Sequence, residues 1–466
     1  MLFNLDVLLS CIENLVFKNS MEIFWAKVVN LVWGLPLVII MATASCYFAY
    51  LIRFAPLRHL RHSFLLLAGR FNSELAPGEV SHFRALCTAL SGTIGMGNIA
   101  GVAVAISAGG SGAVFWMWIA GLLGMATKFF TCTLSCMYRK ADTRGVMQGG
   151  PMYYIEVGLG QKFKPLAMLF AVFGMVGCLG VFQSNQLAQL LDNQWSFPPL
   201  ATGIIAMLIV GGVVTGGSVR IGRVAGSLVP LMCAIYIVGS LLVVFDNIEL
   251  VPTVFASIIY GAFTPEAGIG GAAGITFREV LVMGVRRAVF SNEAGVGTEA
   301  LAHGAAQTAE PVREGLVGML GPFIDTHLIC TLTALVILTA GLGADGSDTG
   351  IIMAAKAFES SVPGYGANIL SIAFALFAVT TMTTYAYYSI KCARYLLGEV
   401  YGSRFVYIYL LFIPVAALWN SAMTINMIDT FYAMMIVPNL IATILLAPKV
   451  VAAASDYFNR YDRARS

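Results

Sequence analysis

Long runs without a charged residue divide the chain into candidate membrane spans. A membrane-crossing helix needs about 20 apolar residues, and Leu31–Leu51 is one such run. Ala85–Thr127 is an uncharged run of 43 residues, about twice what crosses the hydrocarbon, so we expect it to turn back near Ser107, where the sequence reads SAGGSGA. Further uncharged runs are Pro165–Leu191, Trp195–Val219, Val224–Phe245, Thr326–Ala344, Ser360–Ile390, Phe405–Ile428 and Thr430–Pro448. With a weaker, charge-interrupted span at Phe277–Val296, the pattern predicts an all-α polytopic membrane protein with 11 transmembrane helices.

The composition agrees with a membrane protein. Hydrophobic residues make up 58% of the 466 residues and charged residues 11%, whereas soluble domains carry about 25% charged residues. The net charge of +3 is too small to indicate a nucleic-acid partner. The nine cysteines lack the spacing of a redox or metal framework, so we interpret them as core thiols.

The distribution of Lys and Arg predicts the topology. If the N-terminus is outside, 20 of the 27 Lys and Arg residues lie in inside segments, and outside segments hold only Lys18, Lys27 and Lys356. Because cytoplasmic loops carry the excess of basic residues, the predicted topology is N-out and C-in. The N-terminal stretch MLFNLDVLLSCIENLVF lacks the basic start of a cleaved leader, and we expect a short helix near the outer surface there.

Glycines in the middle of the first long run raise the question of a nucleotide site. Gly95–Ala100 spells G-x-G-x-x-A, but a dinucleotide fingerprint needs a preceding strand and an acidic residue about 20 positions on. The flanks here are apolar spans, so the nucleotide interpretation fails. Three glycines and three polar side chains between Ser91 and Asn98 instead favour an unwound helix segment, which is tolerated at membrane depth where it lines a cavity. Close helix packing through Gly97-x-x-x-Gly101 is the alternative explanation.

A second break is expected in the other half of the chain. The stretch AVFSNEAGVGTEA, Ala288–Ala300, has the same mixture of glycines and polar residues inside a weak span. Five predicted helices run from the first break to Phe245 and five from the second break to Pro448. An odd number of spans per repeat inverts one half relative to the other, so the spacing predicts a 5+5 inverted repeat behind one extra N-terminal helix.

This division gives five segments of the chain. Residues 1–84 hold the surface helix, the extra transmembrane helix and a cytoplasmic loop, and residues 85–246 form the first repeat. Residues 247–275 form an external connection, residues 276–448 the second repeat, and residues 449–466 a cytoplasmic tail.

Two broken helices are typical of a secondary transporter. The half-helix that begins near Gly97 offers free N–H groups and a positive dipole end to a substrate carboxylate. Loose carbonyls around Ser91 and Ile94 would face a cation, and the hydroxyls of TTMTT, Thr380–Thr384, would complete an oxygen shell of the kind hard cations prefer. For any single threonine, a hydrogen bond to its own helix carbonyls is an equally good explanation.

At these residues the chain resembles the alanine or glycine:cation symporter family. The resemblance is carried by GTIGMGNIAGVA, GAVFWMWIAGLLGMATKF, GGPMYY, VFSNEAGVGTEA and VPNL. It implies a leucine-transporter-type inverted-repeat fold with an extra first helix. It also implies sodium-coupled uptake of small neutral amino acids, alanine with glycine as the alternative, across the cytoplasmic (inner) membrane.

The resemblance also implies roles for individual residues. The substrate-binding residues it implies are Thr93, Gly95, Gly97, Asn98, Gln183, Phe290, Ser291, Glu293, Thr381 and Tyr385. The sodium ligands it implies are Ser91, Ile94, Thr380 and Thr381. Gln183 has an interhelical hydrogen bond as its alternative, and Glu293 either pairs with the substrate ammonium or holds the break. Asp325 and His327 are further candidates that we interpret first as a structural pair. A tyrosine at 385, where this family can carry tryptophan, leaves the side-chain preference open.

Three alternatives compete with this function. A channel would need rings of like charge or filter loops, and an enzyme a nucleophile–base pair or a metal cluster; the sequence has neither. A carrier of the same fold that moves another small amino acid with protons is the serious competitor, since Glu293 is able to carry a proton. We expect no cofactor besides sodium as the coupling ion, no nucleic acid and no obligatory protein partner; the partners are the amino acid, sodium and the lipid bilayer.

The topology gives a first testable prediction. A reporter fused after Ser466 should be active only in the cytoplasm, and one fused before Met1 only outside, because of the distribution of basic residues. Paired phosphatase and fluorescent-protein fusions measure this. An external C-terminus would remove the inverted-repeat argument.

Overall fold

The computed structural model describes residues 21–54, 58–71, 76–143, 145–264, 276–342 and 350–463, and these residues are mostly helical. In chain order the α-helices are α1 Met21–Val32, α2 Leu35–Leu51, α3 Leu60–Leu67, α4 His82–Thr93, α5 Met96–Gly109, α6 Gly112–Met137, α7 Pro151–Tyr153, α8 Lys164–Gly177, α9 Val181–Trp195, α10 Pro199–Val214, α11 Gly217–Asp246, α12 Val251–Phe263, α13 Phe277–Asn292, α14 Thr298–His303, α15 Pro311–Gly318, α16 Leu320–Pro322, α17 Thr331–Thr339, α18 Ile351–Ser361, α19 Gly366–Ala417 and α20 Ser421–Arg463. Turns of π-helix cover Tyr154–Gly158 and Phe323–Cys330, and 3₁₀ turns cover Gln161–Phe163 and Ile248–Leu250. A small antiparallel ribbon pairs β1 Lys140–Ala141 with β2 Met147–Gln148.

Seven helical stretches of the described chain are long and apolar enough to cross a membrane. Counting the pair α1 and α2, which is bent by 43°, as one span gives eight. α10 and Ile248–Phe263 are apolar but shorter. α19 has 52 residues and a non-helical residue, Gly398, inside it; at about 1.5 Å per residue it is longer than one crossing requires. The chain is a multi-pass helical protein, and the 11 spans and the 5+5 repeat stay predictions.

The two predicted breaks and the predicted turn are present. The run Ala85–Thr127 turns at Gly110, between α5 and α6. α4 and α5 meet at Ile94 and Gly95, and they form the first broken helix. The chain between α13 and α14 is non-helical, and these two helices form the second broken helix. The predicted N-terminal surface helix lies outside the described residues.

The predicted division of the last two spans at Asp429 was wrong. α20 runs without interruption through Asp429, and the break lies at the end of α19, after Ala417. Asp429 is fully buried and pairs with Arg286 and Arg287. Its charge therefore marks a buried ion pair and not the end of a span. α20 also continues past Pro448 as a helix to Arg463, where the sequence predicted a tail.

A third interruption was not predicted. The uncharged run Pro165–Leu191 is two helices, α8 and α9, joined at Gly180. Gly180 has φ +67°, a left-handed conformation that glycine adopts without strain. Nothing in the apolar pattern distinguishes this turn from a straight span.

The first broken helix lies at the centre of the molecule. It is almost entirely buried: 94% of its most apolar 18-residue stretch is buried inside the protein. For α11 the corresponding share is only 39%. α5 and α6 both pack on α13, so the two broken helices are neighbours. A Cβ on Gly97 would lie 2.8 Å from Cα of Ser291. Only glycine allows the two broken helices to approach this closely.

Replacing Gly97 tests this contact. Gly97→Ala should lower the free energy of unfolding by about 1–3 kcal/mol, because the added methyl group overlaps the backbone of the second broken helix. The measurement is the midpoint of thermal unfolding in detergent. Gly212→Ala is the matched control, since a Cβ there meets no atom within 4 Å, and its midpoint should not fall. Equal midpoints for the two variants would contradict the close approach.

Candidate functional site

The first break exposes the beginning of α5. Ile94 has an extended backbone, and the Gly95 N–H donates to Oδ1 of Asn98 at 2.8 Å. The first N–H groups of a helix have no carbonyl partner within it, so the start of α5 directs donors and the positive end of its dipole toward the break. Asn98 occupies one of these donors and fixes the geometry of the break.

Asn98 and Thr93 do not present free side chains to a ligand in this arrangement. Besides accepting from Gly95, Asn98 donates from Nδ2 to the backbone oxygen of Asp325 at 3.2 Å. Thr93 Oγ1 bonds back to the carbonyl of Leu90 at 3.5 Å. The structure therefore gives Asn98 a bracing position, in contact with both the break and the π-helical turn Phe323–Cys330.

The second break surrounds a buried carboxylate. Glu293 ends α13 in the left-handed region, with φ +56°, and is fully buried. It accepts hydrogen bonds from the hydroxyls of Thr298 and Tyr385, and from Tyr432 at 3.1 Å. The left-handed conformation is strained for a residue with a side chain. Three hydroxyl donors hold Glu293 in place.

Amide side chains satisfy the backbone of the second break. Asn292 accepts from the N–H of Ala294 at 2.9 Å, and Asn439 of α20 donates to the carbonyl of Gly295 at 2.8 Å. Asn439 belongs to the VPNL segment, so this motif supplies a hydrogen-bond donor to the backbone of the second break.

Hydroxyl and carbonyl groups meet where α19 crosses the first break. Thr381 Oγ1 donates to the carbonyl of Ser91 at 2.8 Å, and Ser91 Oγ donates to the carbonyl of Thr380 at 2.9 Å. Thr384 shares a hydrogen bond of 2.8 Å with Ser91 Oγ. A Cβ on Gly95 would lie 3.1 Å from Thr381 Oγ1. Oxygen atoms thus gather at the break, as predicted from TTMTT.

Thr380 behaves differently from its neighbour. Its hydroxyl donates to the carbonyls of Leu376 and Phe377, at 2.9 and 3.0 Å, and lies 3.4 Å from the sulfur of Met232. This is the alternative explanation considered for a single threonine of this segment. The contacts favour Thr381 over Thr380 as the side chain that faces the break.

Aromatic rings lie beside the second break. Phe290 contacts the rings of Phe182 at 5.2 Å and Tyr432 at 5.7 Å. Its carbonyl oxygen lies 3.2 Å from the position of a Cβ on Gly97. The adjoining residue of α9, Gln183, is 4% exposed, and its side-chain amide makes no hydrogen bond with any residue that the structure describes. Gln183 is thus a buried amide close to the ring cluster with its hydrogen-bonding capacity unused.

The structure corrects the suggested pair of Asp325 and His327. Asp325 Oδ1 accepts from Ser291 Oγ at 2.6 Å, and His327 instead contacts the carbonyl of Pro322 at 3.4 Å. Both residues lie in the π-helical segment Phe323–Cys330, two positions apart, and residues at this spacing do not face each other on a helix. The other carboxylate oxygen of Asp325 is buried and has no hydrogen-bond partner among the described residues. An intramembrane carboxylate of this kind indicates function.

The predicted residues therefore form three adjoining groups. Ser91, Gly95 and Thr381 meet at the first break; Gly97 meets Phe290 and Ser291; and Glu293 meets Tyr385. Sequence reasoning missed Tyr432 and gave no role to Asn439. Both residues lie on α20, far along the chain from the second break, and only the packing of α20 brings them to it.

The family comparison decides the class of protein. The model of the sodium:alanine symporter family matches residues 18–466. The chain belongs to this family. Its similarity to the sodium/alanine symporter AgcS of Methanococcus maripaludis is 36% identity over 91% of this chain and 94% of that one. An uncharacterized transporter of Haemophilus influenzae is 38% identical over 95% and 97%, and the probable sodium/glutamine symporter GlnT of Bacillus subtilis is 32% identical over 92% and 89%.

The fold of this symporter also has solved relatives. The crystal structure of MhsT in complex with L-phenylalanine superimposes with a TM-score of 0.58 at 13% identity, covering 82% of this chain and 93% of that one. At this identity the likeness concerns the fold alone, which is that of the leucine-transporter type. The protein is thus an amino-acid symporter embedded in a membrane by several helices, and not an enzyme.

The geometry separates the roles of Asn98 and Gln183. Gln183→Ala should raise the Km for alanine about ten- to a hundredfold, because a hydrogen bond to a charged group contributes about 1.5–3 kcal/mol, and should leave thermal stability unchanged. Asn98→Ala should lower the unfolding midpoint, since it removes the partner of the Gly95 N–H. Alanine uptake and thermal unfolding of both purified variants measure this. A stable Gln183→Ala protein with wild-type Km would move the site away from α9.

Proposed function

We propose that this protein is a secondary active transporter that couples sodium to the uptake of small neutral amino acids by alternating access, with alanine as the substrate and glycine as the alternative. The observation that carries the proposal is the contact of Thr381 Oγ1 with the Ser91 carbonyl at the first break, 2.8 Å. The name of the archaeal relative supports sodium and alanine. The name of the Bacillus subtilis relative leaves glutamine as a competing substrate.

In this proposal the cation binds among the oxygens of the first break. The carbonyls of Ser91 and Ile94 and the hydroxyl of Thr381 are its ligands, and Thr380 is a candidate that its present hydrogen bonds make weaker. Sodium is a hard cation that prefers such oxygens. Binding would replace the Thr381–Ser91 hydrogen bond with coordination of both oxygens to the ion.

The amino acid binds on the other side of the same break. Its carboxylate would meet the N–H groups at the start of α5, near Gly95 and Gly97, where the helix dipole stabilises negative charge. Its ammonium would meet the carbonyls of Phe290 and Ser291 or the carboxylate of Glu293. Sodium and substrate then complete one break together, so each raises the affinity for the other.

The surrounding rings support a small substrate. Phe182, Phe290 and Tyr432 contact one another in a chain, and Tyr385 joins Tyr432 through their hydroxyls. Bulky rings at this border restrict the size of the substrate side chain, which supports alanine or glycine over glutamine. Tyr385 adds a hydroxyl at a position where it also holds Glu293.

The proposed location is the cytoplasmic (inner) membrane, with the N-terminus outside and the C-terminus in the cytoplasm. The support is the distribution of Lys and Arg, with 20 of 27 in inside segments. The repeats proposed for residues 85–246 and 276–448 each begin at a broken helix.

Proton coupling is the second candidate function. It is favoured by two buried carboxylates at the breaks, Glu293 and Asp325, of which Asp325 has an oxygen without a partner in the described chain. A buried acid that takes up a proton would serve as the coupling group in place of the oxygen shell.

Sodium titration of two threonine variants tests the main proposal. Thr381→Val should shift the sodium concentration for half-maximal alanine uptake upward by about tenfold, because it removes one oxygen ligand and keeps the side-chain volume. Alanine affinity should fall at low sodium and recover at high sodium. The measurement is uptake of labelled alanine into proteoliposomes at fixed pH.

Thr383→Val is the matched control. Thr383 lies on the same helix, and its hydroxyl bonds back to the carbonyl of Val379 at 2.8 Å, so its sodium midpoint should not move. Thr380→Val decides whether the neighbouring hydroxyl contributes. An unchanged midpoint in Thr381→Val would remove the cation site from this position. Uptake that needs a pH gradient and no sodium would favour the carboxylates instead.

A further inference from the structure

A buried carboxylate outside the proposed binding site joins three helices. Glu314, near the start of α15, accepts a hydrogen bond from His82 at the start of α4 and another from His303 at the end of α14, the latter at 2.6 Å. The three residues are at most 1% exposed. Glu314 thus connects the start of α4 with the end of α14. These are the ends of the two half-helices that lie away from the breaks.

A short backbone joint lies beside this cluster. The N–H of Glu79 donates to the carbonyl of Ala305 at 2.8 Å, and the N–H of Gln307 donates to the carbonyl of Val80 at 2.7 Å. Val80 and Ala306 form a parallel bridge. The segments that precede the first broken helix and follow the second are therefore hydrogen-bonded to each other.

Arg139 covers the same joint. Its guanidinium donates to the carbonyls of Ala306 at 2.7 Å, Thr308 at 2.6 Å and Pro77 at 3.0 Å. Arg139 follows α6 and is one of the basic residues that the charge distribution assigns to the cytoplasmic side. Glu314, its two histidines and the joint accordingly belong to the cytoplasmic end of the broken helices.

We propose that Glu314, through His82 and His303, is a positioning residue that holds the cytoplasmic gate of the transporter closed, and that its two hydrogen bonds open when substrate and ion leave to the cytoplasm. This rests on the proposed function, because it assumes that the solute leaves between the two broken helices. With both bonds made, the ends of α4 and α14 are fixed to the same carboxylate and leave no path between them.

A short helix connects the Glu314 cluster to the second break. α14 has only six residues, Thr298–His303. Its first residue donates to Glu293 at the second break, and its last donates to Glu314. A change at the break that moves α14 must therefore stretch or release the bond to Glu314. About one and a half turns of helix, α14, thus connect Glu293 at the second break with Glu314 at the gate.

The environment of Glu314 makes both bonds necessary. Desolvation of a buried carboxylate is costly unless it is hydrogen-bonded, and here the two histidines are the donors. The other polar groups around the cluster are Arg313, next to Glu314, and the thiols of Cys132 and Cys136 on α6. Cys136 lies directly against it, with Sγ 3.4 Å from the carbonyl of His303.

The first experiment measures amide hydrogen exchange of the reconstituted full chain. Glu314→Gln keeps the shape of the side chain but removes its charge, so the bonds to both histidines weaken. Exchange of peptides covering 77–84 and 303–310 should speed up about tenfold or more, since bonds to a charged acceptor are lost. Exchange in α12, which packs against Gly112 at the opposite end of α6 from Cys136, should not change.

Glu310→Gln is the matched control. Glu310 is a partly exposed residue close in sequence, and it pairs with Arg460 at 2.8 Å. This variant should leave the exchange at the joint as in wild type. His303→Asn removes one arm only, and should give a smaller increase in the same peptides; it carries the test if Glu314→Gln does not fold.

Thiol labelling gives the sidedness. In inside-out membrane vesicles, a membrane-impermeant maleimide should modify Cys136 faster in Glu314→Gln than in wild type, by about tenfold, while Cys330 near the centre stays protected. Mass spectrometry of the cysteine peptides measures both sites, and Cys136→Ser should abolish the signal. Faster labelling from the outside would place the cluster on the wrong side and overturn the proposal.

Three results would overturn the inference and leave the proposed function intact. These are unchanged exchange at the joint in Glu314→Gln, faster exchange throughout the chain, and the same increase in Glu310→Gln. Neither readout needs transported alanine. A failure of alanine uptake in the wild type would therefore count against the proposed function without touching the gate.

Discussion

Two helix breaks in the membrane interior are the constraint on which this structure depends. Lipid offers no hydrogen bonds, so each backbone group freed by a break must find a partner in the protein or in a ligand. Asn98 supplies one partner at the first break, and Asn292 and Asn439 supply two at the second. The groups that remain at the start of α5 are the ones that a transported solute can use.

The same constraint explains why the breaks lie side by side. Gly97 brings α5 against Ser291 so closely that a methyl group would not fit. Polar groups from both breaks are then enclosed in one volume, bordered by the rings of Phe290 and Tyr432. In the proposed function, one cation and one zwitterion would satisfy both breaks at once, which would couple the binding of the two.

Buried charges hold the two ends of this arrangement. Asp429 pairs with Arg286 and Arg287 within α13, and Glu314 pairs with His82 at the start of α4 and with His303 at the end of α14. Between them Asp325 keeps an oxygen without a partner in the described chain. Removing one partner of such a buried pair leaves an uncompensated charge, which is strongly destabilising.

The sequence by itself determined the class of the protein, because apolar length and the placement of glycines act locally. The turn at Gly110 and the breaks after Thr93 and Asn292 were all predicted from glycines and polar residues inside spans. Only the tertiary structure decided which charged residues lie at helix ends and which are buried inside helices. The sequence therefore wrongly predicted the end of a membrane span at Asp429. The tertiary structure also decided that Thr381 and not Thr380 faces Ser91, that Asp325 contacts Ser291 and not His327, and that Glu314 joins two distant helices. Each of these depends on the rotation and approach of helices far apart in the chain, which a local pattern does not encode.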